Sequence, residues 1–352
     1  MGVLFASMKT RTARAVAVLG AVAIVAVAAQ MRAQERPRAA ETPDERGWQA
    51  VAPGRVEPWS GEIKIASAVV GRIGDVLVGV NDKVFAGEPL IRLEDDEARA
   101  RIATAEAQIA LRKRARNDQS TSSRAAERRR AEDWVGDAER GVFDAQTALD
   151  LAAGAKRAGR ATDADLTAAR AALSREQDRL KQRRSELRGL EDDKTTPLPT
   201  QSEGALNVAR AELLLAQAEL EKLTIRAPVA GTVLQVNAKP GELATPSAQP
   251  LLLIGDISAL RVRAELDERD FGEIKLGQPV LVRAPAFRGR EFSGKVSSIA
   301  PIVDAGRINA RDQRGLSDVR VVEVLVDLSE TGPLAVGMKV DVFFRHDGLA
   351  RQ

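Results

Sequence analysis

The chain has 352 residues, enough for two or three domains. It contains no cysteine, no tyrosine and one histidine, His346. That excludes thiol chemistry, disulfides, cysteine or multi-histidine metal sites, and any histidine-based triad that His346 does not supply. The formal charge is +3, and Lys9, Arg11 and Arg14 account for all of it. With aromatic residues at 3% of the chain, neither a basic nucleic-acid groove nor a base-stacking platform is expected.

Those three charges precede an unbroken apolar run from Ala15 to Ala29. Such a run is shorter than the roughly 20 residues a bilayer span requires. It reads as the core of a secretory signal, with Val27-Ala28-Ala29 as small residues at a cleavage site. It reads equally as a short uncleaved anchor with its positive end held in the cytoplasm. Either option, over residues 1–30, sends the remainder across the membrane. The polar, proline-containing segment 31–49 follows as a tether.

Composition then changes twice. Residues 95–222 contain five Val or Ile and 28 Ala, whereas residues 224–344 contain 23 Val or Ile. β-Branched side chains lose rotamer freedom on a helix and fit a pleated sheet, so the middle is expected to be helical and its flanks β. Leu166, Leu173, Leu180 and Leu187 repeat every seven residues. Trp134, Ala138, Val142, Ala145, Leu149 and Ala152 form a second seam. Ala98, Ile102, Ala105 and Ile109 continue the pattern upstream, and Leu206, Leu213 and Leu220 downstream. The midpoint falls at 158–161, where Gly159 can end one helix and Thr162, with Asp165 three residues on, can cap the next. An antiparallel hairpin is predicted, its arms interrupted at matched joints, Asn117–Ser123 and Thr195–Thr200, each a bend or a change in supercoil. Arg112-Lys-Arg114, Arg128-Arg-Arg130 and Arg183-Arg184 read as its solvated face, with Glu127, Glu132, Asp133 and Glu186 interspersed. Carboxylate pairs such as Asp95-Asp96 and Asp192-Asp193 read as caps, so no enzyme is expected and no catalytic or metal site is assigned.

The flanks mirror one another. Val70-Gly71-Arg-Ile73, Val76, Val84, Gly87 and Leu90-Ile-Arg-Leu93 before the hairpin match Ile225, Gly231-Thr-Val233, Val236, Gly241 and Leu251-Leu-Leu-Ile254 after it. Both run as short half-buried strands joined by turns, and neither half carries enough apolar surface to fold alone. At these residues the sequence resembles the lipoyl/biotinyl-type hammerhead. The turn in which that family holds its acceptor lysine is occupied here by Glu94-Asp95-Asp96-Glu97, so no carrier function and no cofactor is implied.

A hammerhead split by a long hairpin resembles the HlyD-type membrane fusion proteins, the periplasmic adaptor subunits of bacterial exporters. The strands Leu260–Leu266, Gly277–Val282, Phe292–Pro301, Arg320–Leu328 and Gly337–Val342, with a capped turn at Asp267–Ile274, are similar to the adaptor β-barrel. The fold class implied is multidomain α+β: a long antiparallel coiled-coil hairpin inserted into a split lipoyl-like β-sandwich, followed by a β-barrel. Expected domains are lipoyl-like halves at 50–94 and 223–256, the hairpin at 95–222, the barrel at 257–345 and a tail at 346–352.

The resemblance implies an inner-membrane transporter and a TolC-type outer-membrane channel as partners, self-association into a hexameric ring, and location in the periplasm at the inner membrane. Many such adaptors carry Arg, Leu and Ser at fixed spacing around the hairpin turn. Here Thr162 takes the Ser place, while Leu151 and Ala155 stand where Arg and Leu belong. The partner-docking residues expected at the turn are Arg157, Gly159, Arg160, Thr162, Asp165 and Leu166. The missing Cys departs from the lipidated adaptors common with proton-driven pumps, and the run Asp304–Asp312 before Asp318 resembles the DevB group of ABC-exporter adaptors, which together favour an ABC permease. A proton-driven RND-type pump and a coiled-coil scaffold without a transport role stay open as alternatives.

Overall fold

The computed structural model describes residues 48–305, 320–330 and 332–345. The signal or anchor, most of the tether, most of the 304–312 run and the tail with His346 lie outside the described residues. Among the described residues no helix is long and apolar enough to cross a membrane.

Six strands close into a barrel in the order β1-β10-β13-β12-β11-β14. They are β1 (Trp48–Pro58), β10 (Leu260–Asp267), β11 (Pro279–Arg283), β12 (Glu291–Ala305), β13 (Arg320–Leu328) and β14 (Lys339–Arg345). Alternation fills the interior: Ala52, Val56, Val262, Ala264, Leu266, Val324, Val326, Val342 and Phe344 are all at most 1% exposed. A 3-10 turn at Glu268–Glu273, capped by Asp267, delivers Ile274 into the same core.

Residues 50–58 were expected to open the first lipoyl-like half, and this is corrected. As part of β1 they pair with β10 and β14. Their alternating Ala50, Ala52, Gly54 and Val56 complete the barrel wall, which lacks closure without them. The chain leaves the barrel at Pro58 and returns at Leu260. At this crossing a Cβ on Gly255 would lie 2.6 Å from the Pro58 ring, so only glycine admits the approach.

The sandwich is assembled from both flanks. One sheet runs β2-β9-β7-β4, that is Ile63–Ile65, Leu252–Gly255, Gly231–Val236 and Lys83–Val84. The other runs β6-β5-β3-β8, that is Thr224–Arg226, Pro89–Leu93, Gly71–Val76 and Leu243–Ala244. Each sheet takes two strands from before the helical insertion and two from after it. Ile65, Ile73, Leu90 and Leu93 interlock with Ile225, Val233, Leu252 and Ile254 in one core. Neither half can bury its apolar face without the other.

Between β5 and β6 stand four helices: α1 (Asp96–Asn117), α2 (Ser123–Arg157), α3 (Asp163–Glu191) and α4 (Gln201–Lys222). α1 packs along α4, and α2 along α3. The insertion is antiparallel as expected, but its joints are reversals and not bends. Ser122 and Thr200 hold extended backbone (ψ 162° and 166°) and accept from Ala125 N and Glu203 N, so each breaks helical continuity while capping the next helix. Ion pairs give the direction of α2. Arg128–Glu203, Asp133–Arg210 and Asp150–Arg226 are separated by 75, 77 and 76 residues, a constant offset that only parallel strands of chain produce. α2 therefore runs back beside α4 toward the sandwich. With 35 residues against the 22 of α1, it overshoots by about 20 Å and lies along the sandwich.

Two further expectations are corrected. Arg128, Arg129 and Glu132, read as solvated, are 2%, 8% and 5% exposed because their side chains reach across to Glu203, Pro197 and Arg210. Trp134, read as a seam residue, is 49% exposed, with Arg183 over its ring at 4.7 Å.

Candidate functional site

The turn between α2 and α3 is built as its residues dictate. Gly159 takes φ +68°, and Thr162 and Asp165 form a capping box: Asp165 N donates to Thr162 Oγ1 at 3.2 Å, and Thr162 N to Asp165 Oδ2 at 2.8 Å. The Thr162 backbone N–H, and then its hydroxyl donating to the same oxygen at 2.7 Å, hold the Asp165 carboxyl below its usual range. The turn is not the distal end of the insertion. Arg157 reaches into the sandwich and donates to Glu88 Oε1 (2.5 and 3.1 Å), Leu77 O (2.8 Å) and Pro89 O (3.1 Å). Glu88, 4% exposed, accepts from Phe85 N at 2.7 Å with its other oxygen. Arg170 stacks over the Phe85 ring at 3.8 Å, and Leu149, Ala153 and Leu166 bury a small apolar patch against Phe85.

The expected docking residues thus divide. Arg157 and Leu166 are committed to the seat on the sandwich, Thr162 and Asp165 to the cap, and Gly159 and Arg160 are exposed. The six were expected at a projecting tip on arms that only bend at their joints; because the chain reverses at 118–122 and 192–200, the turn that carries them lies against the sandwich.

The end farthest from the sandwich is formed by those two joints, with Leu198 89% exposed. Beneath them lies a buried ionic network. Glu203, fully buried, accepts from Arg128 Nη2 at 2.7 Å and from Arg129 Nε, and also from Thr200 N at 2.6 Å. Arg128 also donates to Glu132 Oε1 (3.3 Å) and to Pro197 O in the opposite joint. One turn further, Asp133 gathers Arg116 (2.9 Å), Lys113 (3.6 Å) and Arg210 (2.5 Å) from α1 and α4. Burial pushes the Glu203 and Asp133 carboxyls up, but hydrogen bonds and charges from the surrounding guanidiniums outweigh it and leave both below the usual range. Glu132 goes the other way. Its burial dominates, and Oε2, without a hydrogen-bond partner, sits 3.8 Å from Arg210.

Sequence reading missed this network, although a signal existed. Stepping back from Ala138 by seven and then three residues reaches Ala131 and Arg128, and stepping back from Leu206 by three reaches Glu203, opposite charges in line with two apolar seams. At the sandwich end Arg226 bridges Asp150 (2.8 Å) and Glu221 (2.5 Å), and these bonds raise its pKa against the opposing effect of burial. Among the described residues no group of three His, Asp or Glu side chains is arranged to hold a metal ion.

The comparisons with known proteins converge. A family model described as a CusB-like beta-barrel domain matches residues 260–311. The chain is 38% identical over 88 residues to the pyoverdine export membrane fusion protein PvdR of Pseudomonas aeruginosa, covering 24% of this chain and 22% of that one. It is 28% identical over 305 residues to protein CyaD of Bordetella pertussis, covering 71% of this chain and 66% of that one. A 29% identical match to the multidrug resistance protein MdtN of Escherichia coli covers 36% and 40%. In each case the chain spans less than two thirds of its relative's length. Among solved structures, MacA from Actinobacillus actinomycetemcomitans aligns at 18% identity with a TM-score of 0.47, over 86% of this chain and 80% of that one.

Proposed function

The chain belongs to the membrane fusion protein family of periplasmic adaptors, and from that premise we propose that it couples an inner-membrane exporter to an outer-membrane channel. The observation that carries the reading is the interlocked sandwich: a helical insertion projects from one seam and a barrel follows the other. Such a body has no bond chemistry to perform and works by geometry, spanning a gap and repeating one contact into a ring. A hexameric ring, with barrels and sandwiches stacked around the conduit, fits this role. In the folded-over form the channel-facing surface is the joint pair 118–122 and 192–200.

An ABC permease is the favoured inner-membrane partner, on the 304–312 run and the lack of cysteine. Affinity purification of the tagged full-length chain from solubilised inner membranes tests the reading. Recovery of an ABC permease supports it, and recovery of an RND-type pump transfers the assignment to the alternative class. A chain that leaves every inner-membrane transporter behind refutes the adaptor role in favour of a scaffold. Deleting residues 124–194 is expected to abolish coupling to the channel while leaving barrel and sandwich folded, as judged by their hydrogen-exchange protection.

A further inference from the structure

We propose that the α2–α3 hairpin is a jack-knife blade: it is hinged at the two joints, clasped at the sandwich, and able to swing out so that the 158–161 turn becomes the distal tip. The blade has its own interior, with Leu149, Ala153, Leu166, Ala169 and Leu173 between its two helices. Both of its ends enter short loops at the same end of the bundle, where Arg124 of α2 lies 3.8 Å from Asp193 beyond α3. Rotation about a line through the two loops therefore crosses no chain and breaks no helix.

The contacts holding the blade down differ in kind from those inside it. Its clasp consists of Arg157 on Glu88 and two carbonyls, Asp150 on Arg226, and Arg170 over Phe85. Midway, Asp133 pairs with Arg116, Lys113 and Arg210. Near the hinge, Arg128 and Arg129 meet Glu203. Apart from the patch at Phe85, these are guanidinium, ammonium and carboxylate groups. Opening returns all of them to water, so the swing chiefly exchanges ion pairs for hydration, with Phe85 and the Ile109, Leu213 and Leu214 side chains beside the blade uncovered as well. The helix pairs themselves, α1 with α4 and α2 with α3, stay intact in the swing. An interface of this composition has two discrete arrangements, closed and open, as a switching element requires.

The swing changes reach. Closed, the insertion extends by the 22-residue α1, about 33 Å. Open, the 35-residue α2 is added and the turn moves by roughly twice its own length, on the order of 100 Å. The capped turn with Gly159, Arg160 and Thr162 then projects, and Arg157 and Leu166 leave their seat.

The absence of native cysteine makes the test direct. The full-length chain carrying Val80→Cys and Ala158→Cys, two exposed positions flanking the clasp, is labelled with a donor and an acceptor dye and followed by single-molecule energy transfer. A high-transfer population is expected at low salt, with a near-zero-transfer population growing as salt is raised. In the background of Glu88→Gln with Asp150→Asn, the near-zero population should dominate. Only high transfer in both conditions, with helical circular dichroism unchanged, overturns the proposal. Should the double variant lose its circular dichroism, the salt series on the parent chain decides by itself. The inference rests on the fold and not on the exporter reading. A blade that opens in a chain without transporter partners leaves it standing, and a chain that binds a permease with a blade that never opens removes it alone.

Discussion

Replacing Glu203 by alanine tests the buried network most sharply. Glu203 is fully buried, and its two oxygens serve Arg128, Arg129 and the backbone N–H of Thr200. Without it Arg129 keeps only the Gln119 carbonyl at 3.3 Å, whereas Arg128 retains Glu132 and Pro197 O. Leaving a buried charge without its partner costs about 3–5 kcal/mol. One orphaned and one half-satisfied guanidinium place the loss near the middle of that range, and the lost half of the capping box adds to it. A chain of several bodies does not unfold in one step, so the appropriate readout is local hydrogen exchange over 123–135 and 200–210. A loss of about 4 kcal/mol lowers protection there by about three decades, with the barrel strands unaffected. Combining Arg129→Met with Glu203→Leu should recover most of it, because apolar groups of similar volume replace the stranded pair. A fall in protection of less than tenfold in Glu203→Ala would refute the reasoning.

The same network has a signed pH dependence. Glu203 and Asp133 have depressed folded pKa values, so their stabilisation is complete above the ordinary carboxylate range and is lost as pH falls through those values. Glu132, raised by burial, is relieved as it gains a proton on the way down. Protection of the joint should therefore hold from neutral pH down to the ordinary carboxylate range and collapse below about pH 4, a profile that exchange measured across pH checks. Thr162→Ala should cost about 1 kcal/mol of local stability at the α3 N-terminus by removing the side-chain cap, read as faster exchange at Asp165. Gly255→Val should disturb the barrel–sandwich crossing, because the added Cβ meets Pro58. Faster exchange at both Trp59 and Ile254 is the expected result.

Much of the architecture was legible because it rests on short-range pattern. The two-residue alternation around Ile73 and Val233, the seven-residue repeat from Leu166 to Leu187 and the scarcity of β-branched residues between 95 and 222 each reflect one element burying one face. The cap at Thr162 and the left-handed Gly159 follow from the chemistry of single residues in the same way. From these, the order of split sandwich, helices and barrel could be stated without coordinates.

The fate of the helical insertion was of another kind. A break such as Asn117–Ser123 looks the same in sequence whether the next helix continues or reverses, since in both cases one helix ends and Ser122 caps another. What chose reversal was partners far apart in the chain: Glu203 for Arg128 and Arg129, Arg226 for Asp150, Glu88 for Arg157. β1 went to the barrel for a like reason, because its alternation suits either sheet and only the free edges of β10 and β14 select it. Local pattern specifies which face of an element must be covered. Which element covers it is decided by three-dimensional closure, where charges met at spacings of 69 to 77 residues turned a rod into a folded blade.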